Sequence, residues 1–240
     1  MSILFYGDPH GQWQPLFEAV DKHRPDVVIL LGDCDLDEPL RAKLAPVRDM
    51  VPTWRYIPGN HDTATIATFD NLVADYPAGN LHVKTDLVDG RIVAGLGGVF
   101  KGKIWSPRFD GDDNTPKVAS KADMLKQTAR IERWRNGLPL WHRNTIFPDD
   151  VDSLAKRRCD ILVTHEGPSS HPYGFVGIDD LAHAMGARLV VHGHLHCDYS
   201  GHSKHGIHVR GVGEATPWLL DEGLLDGELA RISHGSLRLA

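Results

Sequence analysis

The sequence predicts an α/β fold from two features. Apolar, strand-like runs alternate with segments of helical periodicity, and five of the runs end in side chains that can ligate a metal. The central run is Asp26 to Asp33. Its apolar residues Val27 to Leu31, set between Pro25 and Gly32, are expected of a strand buried on both faces of a sheet. Asp33 falls where strand gives way to loop, the rim at which open α/β sheets bind ligands. Ile3 to Tyr6 runs into Gly7-Asp8-Pro9-His10-Gly11, and Trp54 to Ile57 into Pro58-Gly59-Asn60-His61-Asp62. Ile161 to Val163 leads into Thr164-His165-Glu166, and Leu189 to Val191 into His192-Gly193-His194-Leu195-His196.

Between these runs, Gln12 to His23 carries Trp13, Leu16, Phe17 and Val20 at helical spacing. Glu38 to Met50 is read as a helix with Pro39 in its first turn, and Thr63 to Tyr76 as another, with Ile66, Phe69 and Leu72 in register. Leu81 to Val83 and Ile92 to Gly95 read as short strands. The composition changes from Gly98 to about Pro148: a turn-rich piece, Ser106 to Pro116, precedes a polar helix from about Val118 to Arg135, with Trp105, Trp134 and Trp141 nearby. Further on come a helix at Ile178 to Met185 and strands at Gly206 to Val212, Trp218 to Leu220 and Leu229 to Ile232. The expected organisation is one domain over residues 1–240 with a basic insertion at about 98–148. His202, His205 and His208 read as surface histidines of a hairpin, since nothing pairs them at ligand spacing.

At 240 residues the chain can bury a full core without staples. Its three cysteines, at 34, 159 and 197, form no C-x-x-C, which suits a reducing compartment and leads us to expect a cytoplasmic protein. No apolar run reaches membrane-spanning length, so no membrane partner is expected. A formal charge of −6 gives no overall footprint for nucleic acid. The insertion is the exception: it carries ten Lys and Arg against five Asp and Glu. It reads either as a solvated helix face or as a segment that handles an anionic substrate, and nucleic acid remains a possible partner on that account.

The chemistry is concentrated at the strand ends. Asp8 with His10, and His194 with His196, are Asp-x-His and His-x-His pairs, which an extended backbone would turn to one side. Together with Asp33, Asn60 and His165 they make a mixed oxygen and nitrogen set without thiolates, suited to Mn, Fe, Zn or Ni. Seven candidates exceed what one such ion coordinates, which predicts two divalent metal ions.

In type and order these motifs resemble the calcineurin-like metallophosphoesterase superfamily, over residues 7 to 196. The resemblance implies a metallo-dependent phosphatase-like fold, a four-layer αββα sandwich of two mixed β-sheets flanked by helices. It implies Asp8, His10, Asp33 and His196 as ligands of one ion, and Asp33, Asn60, His165 and His194 as ligands of a second, with Asp33 bridging. The activity implied is hydrolysis of phosphomonoesters or phosphodiesters by a metal-activated hydroxide, with a phosphate ester as substrate and nucleotide or nucleic-acid esters placed first because of the insertion. His61 is not a ligand in this scheme and would act on the leaving group as general acid or as a stabiliser of charge. The alternative is a catalytically silent scaffold of the same fold that binds protein, against which the complete ligand set and His61 speak.

The chain also departs from the family. Many members have an acidic residue three positions after the bridging Asp to orient the catalytic His; here Leu36 stands there, and Asp35 and Asp37 would point elsewhere on an extended segment. The Asp-Arg-Gly of protein phosphatases is missing, which argues against a phosphoprotein substrate. Gly211-Val212-Gly213-Glu214 lies where many small bacterial phosphodiesterases have Asn-Pro-Gly-Ser. Cys34 and Cys197 adjoin ligands, but alternation would turn them away as small core residues.

Overall fold

The strand runs fold as their alternation requires. In the computed structural model, which describes residues 2–88, 90–105 and 116–220, the strands are β1 (Ile3–Gly7), β2 (Val27–Leu30), β3 (Thr53–Tyr56), β4 (Lys84–Val88), β5 (Arg91–Leu96), β6 (Ile161–Thr164), β7 (Leu189–His192), β8 (Tyr199–His202), β9 (His208–Gly211) and β10 (Thr216–Leu219). They make two mixed sheets, in the orders β10-β1-β2-β3 and β4-β5-β6-β7-β9-β8. Within the first, β1, β2 and β3 are parallel and place Tyr6, Leu30 and Tyr56 side by side. Within the second, β5, β6, β7 and β9 are parallel, and Leu96, Thr164, His192 and Gly211 end level with one another. The loops that follow these ends carry the candidate ligands.

Residues on alternate sides of each strand enter different layers. Leu4, Tyr6, Val28, Leu30, Trp54 and Tyr56 pack outward with Leu16, Ala19 and Val20 of helix α1 (Gln14–His23). Their neighbours Ile3, Phe5, Val27 and Ile29 face the other sheet, meeting Val93, Ile161, Val163, Leu189 and Val191. On the far side of that sheet, Ala94, Leu96, Leu162 and Val190 pack with residues of α5 (Pro148–Ala155) and α6 (Val176–Met185). The order is helix, sheet, sheet, helix, the expected αββα sandwich, and it explains why the strands are apolar on both faces.

The helices are more broken than their periodicity suggests. Glu38 to Met50 is not one helix: α2 covers only Leu40–Lys43, and a 3-10 turn follows at Arg48–Met50. Pro46, which has no N–H for the ladder and disfavours helix in the residue before it, separates them. Thr63 to Tyr76 divides into a 3-10 turn at His61–Thr63, α3 (Ile66–Phe69) and a π turn at Asp70–Ala74. The polar helix of the insertion, α4 (Lys121–Gln127), ends well short of Arg135, because Arg133 donates to the carbonyls of Leu125 and Thr128 and satisfies the helix end. Leu81 to Val83 is not a strand; Val83 turns at φ 56 and β4 starts after it. The sequence reading omitted β8, which pairs antiparallel with β9 and sets His202 opposite His208. The expected strand at 229–232 and residues 106–115 of the turn-rich piece lie outside the described residues. Among the described residues no helix is long and apolar enough to cross a membrane.

Phe5 is fully buried between the sheets and stacks on Trp218 with ring centroids 5.5 Å apart. Phe5→Ala should therefore lower stability by about 3–5 kcal/mol, read as a fall in the urea midpoint. An unchanged midpoint would mean that the layer between the sheets does not hold the fold together.

Candidate metal centre

All seven predicted ligands meet where the strand ends of the two sheets face each other. Asp8 follows β1, and its Oδ2 accepts the backbone N–H of His194 at 2.7 Å. Asp33 follows β2, and its Oδ1 accepts the N–H of His61 at 2.7 Å. The other oxygen of Asp33 lies 3.4 Å from His165 Nε2 on one side and 3.9 Å from His10 Nε2 on the other. Asn60 Oδ1 is 3.0 Å from His165 Nε2, and His10 Nε2 is 3.2 Å from His196 Nε2. The His165 and His194 rings lie 4.8 Å apart, and each offers an atom close to Asp33.

The backbone route to this convergence is not the extended one expected. Asp8 (φ 32), His10 (φ 42), Asp33 (φ 50), His194 (φ 63) and His196 (φ 52) are all left-handed, a region that Asp and His enter more readily than branched residues but at some cost. The Asp-x-His and His-x-His pairs thus reach one centre through tight turns, not through strand pleating. Close approach demands glycine at two points: a Cβ on Gly59 would lie 2.2 Å from Asp33 Oδ1, and one on Gly193 2.7 Å from Asp8 Oδ1.

The donor set fits divalent cations. Nδ1 of His165 lies 2.7 Å from the Leu31 carbonyl, which can only accept, so Nδ1 holds the proton and Nε2 is free to ligate. His10 Nδ1 is held at 2.8 Å by Asp35 Oδ2, and His196 Nδ1 lies 3.3 Å from Glu214 Oε2. Both of their Nε2 lone pairs then face one another, an arrangement that a shared cation relieves. Asp8 Oδ1 is buried and has no hydrogen-bond partner among the described residues. Burial, with Asp33 adding and His165 opposing, pushes the Asp8 carboxyl up to about 7. Burial alone would lower His165, yet Asp33 and Asp8 outweigh it and raise the imidazole to about 10. The field that holds a proton there would hold a divalent cation instead.

Comparison with known proteins agrees with this geometry. The family model described as calcineurin-like phosphoesterase matches residues 1–198. The chain belongs to the calcineurin-like phosphoesterase family. As a member it is a metal-dependent phosphoester hydrolase. An uncharacterized protein of Haemophilus influenzae is 38% identical over 215 residues, covering 88% of this chain and 90% of the relative. Among solved structures, phosphopantetheinyl hydrolase from Mycobacterium tuberculosis superimposes with a TM-score of 0.55 at 17% identity, over 89% of this chain and 90% of that one, a likeness of fold.

Four supporting residues of this calcineurin-like site were not assigned from the sequence. Asp35 was expected to point away; instead its left-handed backbone, φ 46, turns the carboxylate to His10 Nδ1 and to within 3.5 Å of His61 Nδ1. It stands beside both imidazoles, where Leu36, buried in the core, does not. Asp62 accepts the N–H groups of Asp33, Cys34 and Gly59, joining two ligand loops. Asn144 donates to the carbonyls of Gly59 and Asn60 from the end of the insertion, more than 80 residues away in sequence. Glu214 supports His196. Signals existed for Asp62, inside the Gly-Asn-His-Asp motif, but none for Asn144. Cys34 is buried as expected, whereas Cys197 is exposed and is not a core residue.

Removing the carboxylate that holds His10 should weaken metal binding about 10- to 100-fold in Asp35→Ala, the usual effect of losing a supporting partner. Chelator competition on the metal-loaded protein measures this, and unchanged affinity would make Asp35 a bystander.

Proposed function

We propose that this phosphoesterase is dinuclear and hydrolyses phosphomonoester or phosphodiester bonds, with His61 as general acid. The observation that carries this reading is the position of Asp33 Oδ2 between His10 and His165. Asp8, His10, Asp33 and His196 would hold one divalent ion, and Asp33, Asn60, His165 and His194 the other, with Mn, Fe, Zn or Ni suited to the donors. When bound, such a pair supplies Lewis acidity toward the phosphoryl oxygens and makes water more acidic.

The chain's own groups do the rest. Asp33 fixes the backbone of His61 through Oδ1, so the acid is tied to the same carboxylate that lies between the two ligand groups. The His61 ring is 49% exposed and packs edge-on to His10 with centroids 4.8 Å apart, which leaves it open to a substrate. Asp35 Oδ2 lies 3.5 Å from Nδ1, and the other ring nitrogen is the one that can pass a proton to the departing alcohol oxygen.

The insertion gives less support to nucleotide substrates than its charge suggested. Arg133 and Arg143 donate to backbone carbonyls, and Arg135 pairs with Asp70 while lying over Trp134, which itself packs on Phe69. Trp105 donates to the Ile146 carbonyl. Arg133, Arg143 and Trp105 thus tie the insertion to itself, and Arg135 with Trp134 ties it to Asp70 and Phe69.

Elemental analysis of metal-reconstituted protein should give two ions per chain, and Asp33→Ala should lose both together with nearly all activity. One ion in the wild type, or one retained in the variant, would exclude the bridged pair.

His61→Asn should keep its metals and lose about 100-fold or more in kcat. The loss should be smaller for nitrophenyl esters, whose leaving groups need little protonation, than for alkyl esters; an equal loss would leave His61 an electrostatic role only.

A further inference from the structure

The space beside the ligands is apolar. Asn60 and His194 line one end of a cavity of about 390 Å³, within the range of small-molecule sites, whose walls include Phe100, Tyr173, Phe175 and Leu195. A second cavity, of about 340 Å³, shares Phe100 and Phe175 with the first and continues among Trp105, Val151 and Leu181, with Ala184 on its wall. The two Phe rings stand 4.7 Å apart and Phe100 meets Trp105 edge-on at 5.2 Å, so an aromatic wall borders both spaces.

The polar groups of this lining are few: Asn60, Glu166, Tyr173 and His194 at the first cavity, and at the second Asp180, which pairs with Lys204 and His205. No lysine or arginine lines either cavity among the described residues, so a second phosphate or a carboxylate on the substrate would find no cation there. Of the polar residues at the first cavity, Asn60 and His194 belong to the metal centre, and Glu166 is buried with Oε1 already accepting the Phe100 N–H at 2.9 Å. Ribose hydroxyls and base edges would be left largely unpaired, at a cost. A carbon chain would not.

Resting on the phosphoesterase reading above, we propose that the substrate is a phosphate ester of an uncharged, apolar alcohol of medium chain length. Its phosphate would lie at the ligand set, and its chain would run along Phe100 and Phe175 into the second cavity. In the reaction a water oxygen bonds to phosphorus, the bond from phosphorus to the alcohol oxygen breaks, and that oxygen takes its proton from His61. Adjacency supports the assignment: Phe100 and Phe175 line both cavities, and the first of them is also lined by Asn60 and His194. The alcohol is the only part of the ester free to occupy them.

The test is a series of ethyl, butyl, hexyl and octyl phosphates beside adenosine monophosphate, on metal-loaded wild type. Nitrophenyl and bis-nitrophenyl phosphate serve as controls, and the series is run as monoesters or as their methyl diesters, whichever control is cleaved. Because the leaving alcohols are similarly acidic, kcat/KM should track burial, rising about threefold to fourfold per methylene and levelling off at octyl, above adenosine monophosphate. Ala184→Trp, at an exposed position on the second cavity, should lower the octyl value at least tenfold, with the nitrophenyl rate and metal content unchanged. A flat series, a preference for the nucleotide, or an octyl value that Ala184→Trp leaves in place would overturn the proposal while the phosphoesterase reading stands. Protein that carries its metals yet cleaves neither control would overturn both.

Discussion

Asp8, Asp33 and His165 are buried together where the two sheets' strand ends meet, and the surroundings are built to make that burial tolerable. An ionised carboxylate out of water is costly unless hydrogen bonds or opposite charge compensate. Each Asp takes one backbone N–H from a loop of distant sequence, His194 for Asp8 and His61 for Asp33. Asp62 adds a buried carboxylate of its own and is satisfied by three more N–H groups. What these bonds leave over is the partnerless Asp8 oxygen and the shared Asp33 oxygen, and both face imidazoles. The compensation is completed by positive charge at the centre, which ties the metal chemistry to the stability of the loops.

The same constraint explains the strained backbone. Here both members of the Asp-x-His and His-x-His pairs turn inward through left-handed conformations, each costing on the order of 1–3 kcal/mol. Such turns persist only on a rigid base. The three apolar layers supply it, since β1, β2, β6 and β7 are buried along their whole length. Stability made in the sandwich is thus drawn on at its rim, and Gly59 and Gly193 mark where no further atom fits between backbone and carboxylate.

The strands and ligands were legible because the signal is local. A buried strand declares itself by its apolar run, and a ligand by its place just beyond the run. Most of the rest depended on information that no short window holds. Asp35 was misjudged because its direction follows from one φ angle, and extended geometry is the wrong default beside a left-handed Asp33. Asn144 carries no signature of its own; only the folded chain brings it beneath Asn60. Two further features are local after all: Pro46 ends the helical periodicity of Glu38 to Met50, and Pro148 followed by Asp149 and Asp150 is a helix start at the end of the insertion.

The insertion shows that net charge need not mark an anion site. Its excess of Lys and Arg suggested an anion site, but a basic residue can equally serve as a donor to carbonyls that a broken helix leaves unsatisfied. Arg133 does this at the end of a helix only seven residues long, and Arg143 does the same for the loop carbonyls of Trp134 and Leu138. The segment reaches the metal centre by other means: Asn144 holds the Asn60 carbonyl, the Leu140–His142 turn packs against the His61–Thr63 turn, and Phe100 walls the cleft. A basic segment of this kind shapes the pocket through its neutral residues while its charges keep the segment folded. On the proposal that an apolar alcohol occupies this cleft, selectivity among esters would follow from how much apolar surface the alcohol can bury, not from how much charge it carries.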